Sequence, residues 1–230
     1  MLIAPDLAPI TFAVGFLSRP LAEVAAALRA WYAETDMGRE LRWGEAPLPD
    51  ALRRLEPLSA PLFRRLWVET TAPRWPTAYF DGFINGTDAF PPVSYLAQRL
   101  GGEGLILGLQ PQSPRSYGAA SIALYGPAPT DWLNRVWSVG AVNDGGRWTW
   151  ERSGAPQPFE EDEAYAARRV RDRLTPERLA RYAAALGAPL DPAAFGPRLV
   201  EDVPKRVPRG QRAESLATAR ERCGLAPAAG

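Results

Sequence analysis

The densest cluster of side chains able to do chemistry lies in the segment Asp81-Gly82-Phe83-Ile84-Asn85-Gly86-Thr87-Asp88. Two carboxylates and an amide in a glycine-containing loop could hold a cation, exchange a proton or meet a partner. A calcium loop needs oxygen ligands at its first, third and fifth positions and a glutamate at its twelfth. Asp81 and Asn85 fit the first and fifth, and Gly86 fits the tight turn at the sixth, but Phe83 and Pro92 fail the third and twelfth. A hairpin turn at Asn85-Gly86, followed by Asp88 capping a helix, accounts for the same residues without a ligand. Asp81, Asn85 and Asp88 are therefore binding candidates, and no metal site is assigned.

Elsewhere the residue types close off more chemistry than they open. The chain has no histidine and one cysteine, Cys223. That removes the commonest general base, the commonest neutral metal ligand and the usual activator of a Ser or Cys nucleophile. Carboxylate-pair catalysis would need two acids held a few ångströms apart with one pKa raised. Asp81, Asp88, Glu69 and Glu151 are the acids available for it, and no spacing shows that they converge, so no catalytic residue is named. Gly101-Gly102-Glu103-Gly104 follows a helix and precedes a strand, the reverse of a phosphate-cradling loop. No cofactor is expected.

Three further groups could form a binding surface. Trp148 and Trp150 are two apart on a strand and share a face, with Trp137 across the hairpin. They form either core or a stacking surface for bases or sugars. Glu160-Glu161-Asp162-Glu163 opens a stretch read as a helix to Leu174, where acids suit the N-terminal dipole. Arg168, Arg169, Arg171 and Arg173 follow on the same stretch. They give either a solvated face or an Arg site for an acidic partner. The binding set is thus Asp81, Asn85, Asp88, Trp148, Trp150, Glu160, Glu161, Asp162, Arg168 and Arg171.

The elements that must position these groups follow from periodicity and turn chemistry. Ile10 to Leu17 reads as a buried strand. Ser18-Arg19-Pro20 starts a helix running to about Glu34, with Ser18 as its cap. Asp50 caps a short helix, and another helical turn is expected at residues 62 to 66. Residues 66–71 and 77–80 read as strands, and a helix holds Val93, Leu96, Ala97 and Leu100. An antiparallel meander follows in residues 105–109, 117–125, 135–142 and 147–151, with a tight turn at Asp144-Gly145-Gly146. Helices come last, at 160–174 and from Thr175-Pro176 to Gly187, with a final short turn ending near Phe195. This order argues an α+β fold with a central antiparallel sheet and helices in the N-terminal and C-terminal parts. Residues 1–203 are expected to form one domain, and 204–230 an Arg- and Pro-rich tail that is mobile or docks on the body.

Composition sets outer limits. Lys plus Arg total 27 against 26 Asp plus Glu, a net charge of +1, so no long-range field draws the chain to nucleic acid or an anionic membrane. The apolar start from Met1 to Leu17 lacks the basic residues of a secretory signal, and no stretch approaches the length of a membrane span. A cytoplasmic protein is expected, and one unpaired cysteine agrees with a reducing compartment. Lys205 is the only lysine, an Arg-for-Lys usage that most simply reflects a GC-rich bacterial genome.

One resemblance reaches further. Residues 143–150 (Asn-Asp-Gly-Gly-Arg-Trp-Thr-Trp), then Ser153-Gly154, Pro158-Phe159-Glu160 and Arg168 to Thr175, resemble a pattern in proteins of GC-rich bacteria. Some of those are similar to small cytosolic immunity proteins that neutralise polymorphic or contact-dependent toxins. The resemblance spans the middle and C-terminal half. It implies a protein-binding module whose partner is a toxin, with a rigid α+β body presenting aromatic and charged loops. Two other functions stay open: an enzyme using carboxylates and Arg on a phosphorylated or glycosidic substrate, and a structural component of a larger bacterial assembly. Oligomeric state is not readable.

Overall fold

The computed structural model describes residues 3–226, so Met1 and Leu2 of the apolar start and the last four residues of the tail lie outside it. The fold is α+β, built on one nine-stranded antiparallel sheet. Its strands are β1 (Ala13–Leu17), β2 (Arg39–Glu45), β4 (Arg65–Thr70), β5 (Thr77–Asp81), β6 (Gly104–Gln110), β7 (Ala119–Tyr125), β8 (Arg135–Asp144), β9 (Arg147–Gly154) and β10 (Phe195–Pro204). They run in the order β2-β10-β4-β5-β1-β6-β7-β8-β9. A second, two-stranded sheet pairs β3 (Leu58–Ala60) with β11 (Arg212–Glu214). The helices are α1 (Leu21–Thr35), α2 (Leu48–Arg53), α3 (Phe90–Arg99), α4 (Pro176–Ala185) and α5 (Leu216–Arg222).

Alternation along the strands buries both faces of the sheet. One face takes α1 and α3, which pack Val24, Leu28, Val93 and Leu96 against Trp67, Tyr79 and Val200. Helix α3 lies so close that a Cβ on Gly15 would stand 2.5 Å from Val93 Cγ2. The other face carries the larger core, where Phe16, Leu66, Phe80, Leu107, Ile122, Trp137 and Leu199 meet α2, α4 and short 3₁₀ turns. No helix among the described residues is long and apolar enough to cross a membrane.

Several local expectations need correction. The helix expected at 160–174 is two 3₁₀ turns, Asp162–Ala166 and Val170–Asp172, joined through extended backbone at Ala167 and Arg169. Side-chain anchoring wins there over helical propensity. Tyr165 hydrogen-bonds the Tyr182 hydroxyl at 2.9 Å, and the backbone N–H of Glu161 donates to the same hydroxyl at 2.8 Å. Ser18 is not a helix cap; Pro20 takes that position, and Ser18 Oγ instead accepts the backbone N–H of Glu103 at 2.7 Å. Asp50 lies inside α2 rather than at its start. No helical turn forms at 62–66, where β4 begins at Arg65. Ala89, not Asp88, holds the cap position of α3.

Strands β2 and β10 have no counterpart in the sequence reading. The backbone beyond Pro204 packs on the body as β11 and α5. There Arg220, 5% exposed, donates to the carbonyls of Pro5, Asp6, Ala8 and Ala226.

Candidate functional site

Strand register brings the flagged carboxylate into a row of buried charge. Asp202 on β10 stands opposite Arg65 on β4, and Arg65 stands opposite Asp81 on β5. All three point to the face covered by α1 and α3. Tyr79, two residues before Asp81, shares that face and donates to Asp81 at 2.8 Å. The backbone N–H groups of Phe83 and Asp88 donate to the same carboxylate at 2.9 and 3.1 Å. At the other end Tyr32 of α1 and Arg39 of β2 each reach Asp202 at 2.5 Å. Arg65 lies between, 3.3 Å from the Tyr32 hydroxyl and 3.8 Å from Asp202.

Burial governs the proton affinities here. Asp81 is fully buried and its carboxyl is pushed up to about 7, burial outweighing the hydrogen bonds from Phe83 and Tyr79. Asp88 is raised by desolvation as well. The Tyr79 and Tyr32 hydroxyls lie well above the ordinary phenol range, through burial and their aspartate partners. The row therefore keeps both phenols as permanent donors near neutral pH. It braces four strands and a helix. Asp81 carries the raised pKa that carboxylate chemistry needs, but its oxygens are spent on protein donors. The clefts formed most clearly by the described residues are lined by neither Asp81 nor Asp88. Among the described residues no three of Cys, Asp and Glu are grouped to hold a metal ion.

The remaining flagged residues are spread over the molecule. Asn85 is exposed and accepts from Arg222 at 3.3 Å. Asp88 reaches solvent just before α3. Trp148 and Trp150 lie on β9, five strands from β5 and thus about 24 Å away, and on the opposite face of the sheet. Both are half-buried against the larger core, Trp150 4.7 Å from Tyr165. Glu160 accepts from the buried Trp137 indole at 2.8 Å and pairs with Arg152 at 3.1 Å. Arg152 also holds Asp162 at 2.7 Å. Glu161 is clamped by Arg181 and Arg178, which hold its carboxyl below the usual range. Arg168 is exposed, and Arg171 sits 3.7 Å from its neighbour Asp172. Glu160, Glu161 and Asp162 of the acidic run are held in internal ion pairs, and the ten residues do not share one surface.

The loop from Gly126 to Asn134, between β7 and β8, together with the start of β8 presents a group that sequence reasoning passed over. Trp132, Leu133 and Val136 are 49%, 59% and 48% exposed. Trp132 stacks on Phe90 at 5.3 Å, and the Arg135 guanidinium lies 3.6 Å from its ring. Leu133 has φ of 57°, a left-handed conformation costly for a branched side chain. The loop is pinned from beneath by Asn134, 1% exposed. Its amide donates to the carbonyls of Ser94 and Gly126 and accepts from Ser94 Oγ at 2.6 Å. Two large apolar residues inside an otherwise Pro-, Thr- and Asp-rich turn were the only signal in the sequence.

Comparison of the chain with protein-family models, with curated proteins and with solved structures returned no match.

Proposed function

We propose that this chain is a non-catalytic protein-binding module of the immunity type, which neutralises a toxin in the bacterial cytoplasm by occupying its surface. One observation carries the binding role: a loop pinned by the buried Asn134 holds Trp132 and Leu133 in solvent, with Leu133 in the left-handed region. Binding energy at protein interfaces concentrates in a few large side chains, with Trp prominent among them. Anchors already fixed in place lose little entropy on association. The Asn134 bonds and the Phe90–Trp132–Arg135 stack supply that fixation. A pattern of exposed apolar side chains over a fully bonded base fits a contact surface better than it fits a reaction centre. The toxin as partner rests on the resemblance of residues 143–175 to immunity proteins.

Affinity capture from the native host, read by mass spectrometry, tests both parts. The unaltered protein should recover a toxin-like protein, and the double variant Trp132→Ser/Leu133→Ser should lose it while keeping its circular dichroism spectrum. Asp81→Asn should retain it. Equal recovery by the double variant would remove the loop from the interface. Failure to recover any toxin-like protein would remove the immunity assignment.

A further inference from the structure

At the β2 edge of the sheet the described residues form a cleft of about 390 Å³. Arg42 of β2 with Glu201 and Val203 of β10 form its floor, and Ser59, Leu62 and Arg64 one wall. The other wall is the backbone from Pro204 to Gln211, which leaves β10 and returns into β11. This is the segment whose Arg and Pro content stands out in the sequence.

Charge at the cleft is one-sided. Arg42 pairs with Glu40, and Glu201 pairs with Arg54. Arg64 donates to the Arg54 carbonyl at 2.8 Å. Among the described residues, Arg64, Arg206, Arg209 and Arg212 make no ion pair, and all four are exposed. Arg64 lines the cleft, and Arg206, Arg209 and Arg212 adjoin its lining residues Val207, Pro208, Gly210, Gln211 and Ala213 along the chain; in a chain of 27 cations and 26 anions these four set a local positive potential. The lining is also apolar in part: Leu62, Val203, Pro204, Val207 and Pro208 face the opening, and Val207 is 59% exposed. Gln211 adds a polar anchor. Its Nε2 donates to the Leu62 carbonyl at 2.6 Å, while its buried Oε1 has no donor.

We propose that this cleft is a second docking site, one that takes an acidic peptide segment bearing apolar side chains. Carboxylates of the peptide meet the unpaired guanidinium groups, and its apolar side chains lie on the Leu62–Val207 surface. No aromatic ring lines the cleft, so single-stranded nucleic acid would find positive charge but nothing to stack on. The inference is independent of the Trp132 loop and of the immunity reading.

Fluorescence polarisation tests it on the full chain. The probe is a labelled decapeptide repeating Glu-Asp-Leu; a Lys-Arg-Leu decapeptide and a labelled ten-nucleotide oligothymidylate serve as comparisons. The acidic peptide should bind saturably, and weaken by about tenfold or more when salt is raised from about 50 to about 300 mM. Arg206→Glu/Arg209→Glu should weaken it by about tenfold, since both residues are exposed and the fold should survive. Val207→Ser should weaken it a few-fold, and Trp132→Ser should leave it unchanged. Absence of saturable binding overturns the proposal. So does binding that ignores the charge reversal, or oligothymidylate binding of equal strength lost in the same variants. If Trp132→Ser abolishes peptide binding, the peptide belongs to the other surface and the cleft assignment fails while the binder reading stands.

Discussion

Asp81 is a carboxyl group kept where ionisation is costly. In the unfolded chain it loses its proton near 3.8, and in the fold it keeps it up to about 7. Between those values the folded state binds more protons than the unfolded one, so this group's contribution falls as pH rises from about 4 to 7 and stays low above. The difference of roughly three pKa values corresponds to about 4 kcal/mol as an order of magnitude. Asp81→Asn cannot ionise. Urea midpoints at pH 5 and pH 8 should therefore differ less in the variant than in the parent; an equal difference in both would show that Asp81 does not control the slope. The loop around Asp81 was legible because its residue types are those of polar loops. Its partners were not. Arg39, Arg65 and Asp202 reach the row through strand pairing and Tyr32 through the packing of α1 on the sheet, across as many as 170 residues, which no local pattern encodes.

Strands β4 to β9 could be read directly, because β-branched and aromatic content, alternation or, in β6, a continuous apolar run of strand length marks them, with turn residues nearby. Strand β2 could not: its sequence RELRWGE is that of a charged sheet edge, which looks like loop. Prolines at 197 and 204 concealed β10, which tolerates them at its ends, with a register shift between Phe195 and Leu199. Helix-to-sheet contact gives a further test at this scale. Gly15 and Gly104 both lie under Val93, whose branched side chain has little freedom to move; a Cβ on Gly104 would stand 2.7 Å from it. Gly15→Ala should lift α3 and cost about 1–3 kcal/mol in chemical denaturation. Trimming the helix with Val93→Ala in the same chain should recover part of that loss, and full additivity of the two changes would argue against direct contact.

Over the whole molecule the decisive connection is the return of β10 between β2 and β4. It brings Asp202 to the charged row, Leu199 to one core and Val200 to the other. A chain ending at Ala194 should leave β4, with Leu66 and Val68, as an open apolar edge. It should elute as aggregate in size-exclusion chromatography; a monomeric peak with the parent's near-ultraviolet spectrum would show that the sheet closes without β10.

That topology also imposes a delay during synthesis. Strands β4 through β9 leave the ribosome in an order that lets each find a neighbour soon after it emerges. The gap between β2 and β4 stays open until Phe195–Pro204 has been made. At about 5–20 residues per second, the stretch from Thr70 to Phe195 takes roughly 6–25 s to translate. For that interval the nascent protein carries an unfilled slot with exposed hydrogen-bonding edges. Translation speed in this stretch, and any chaperone able to shield the slot, should therefore affect the yield of native protein more than the final stability of the fold does.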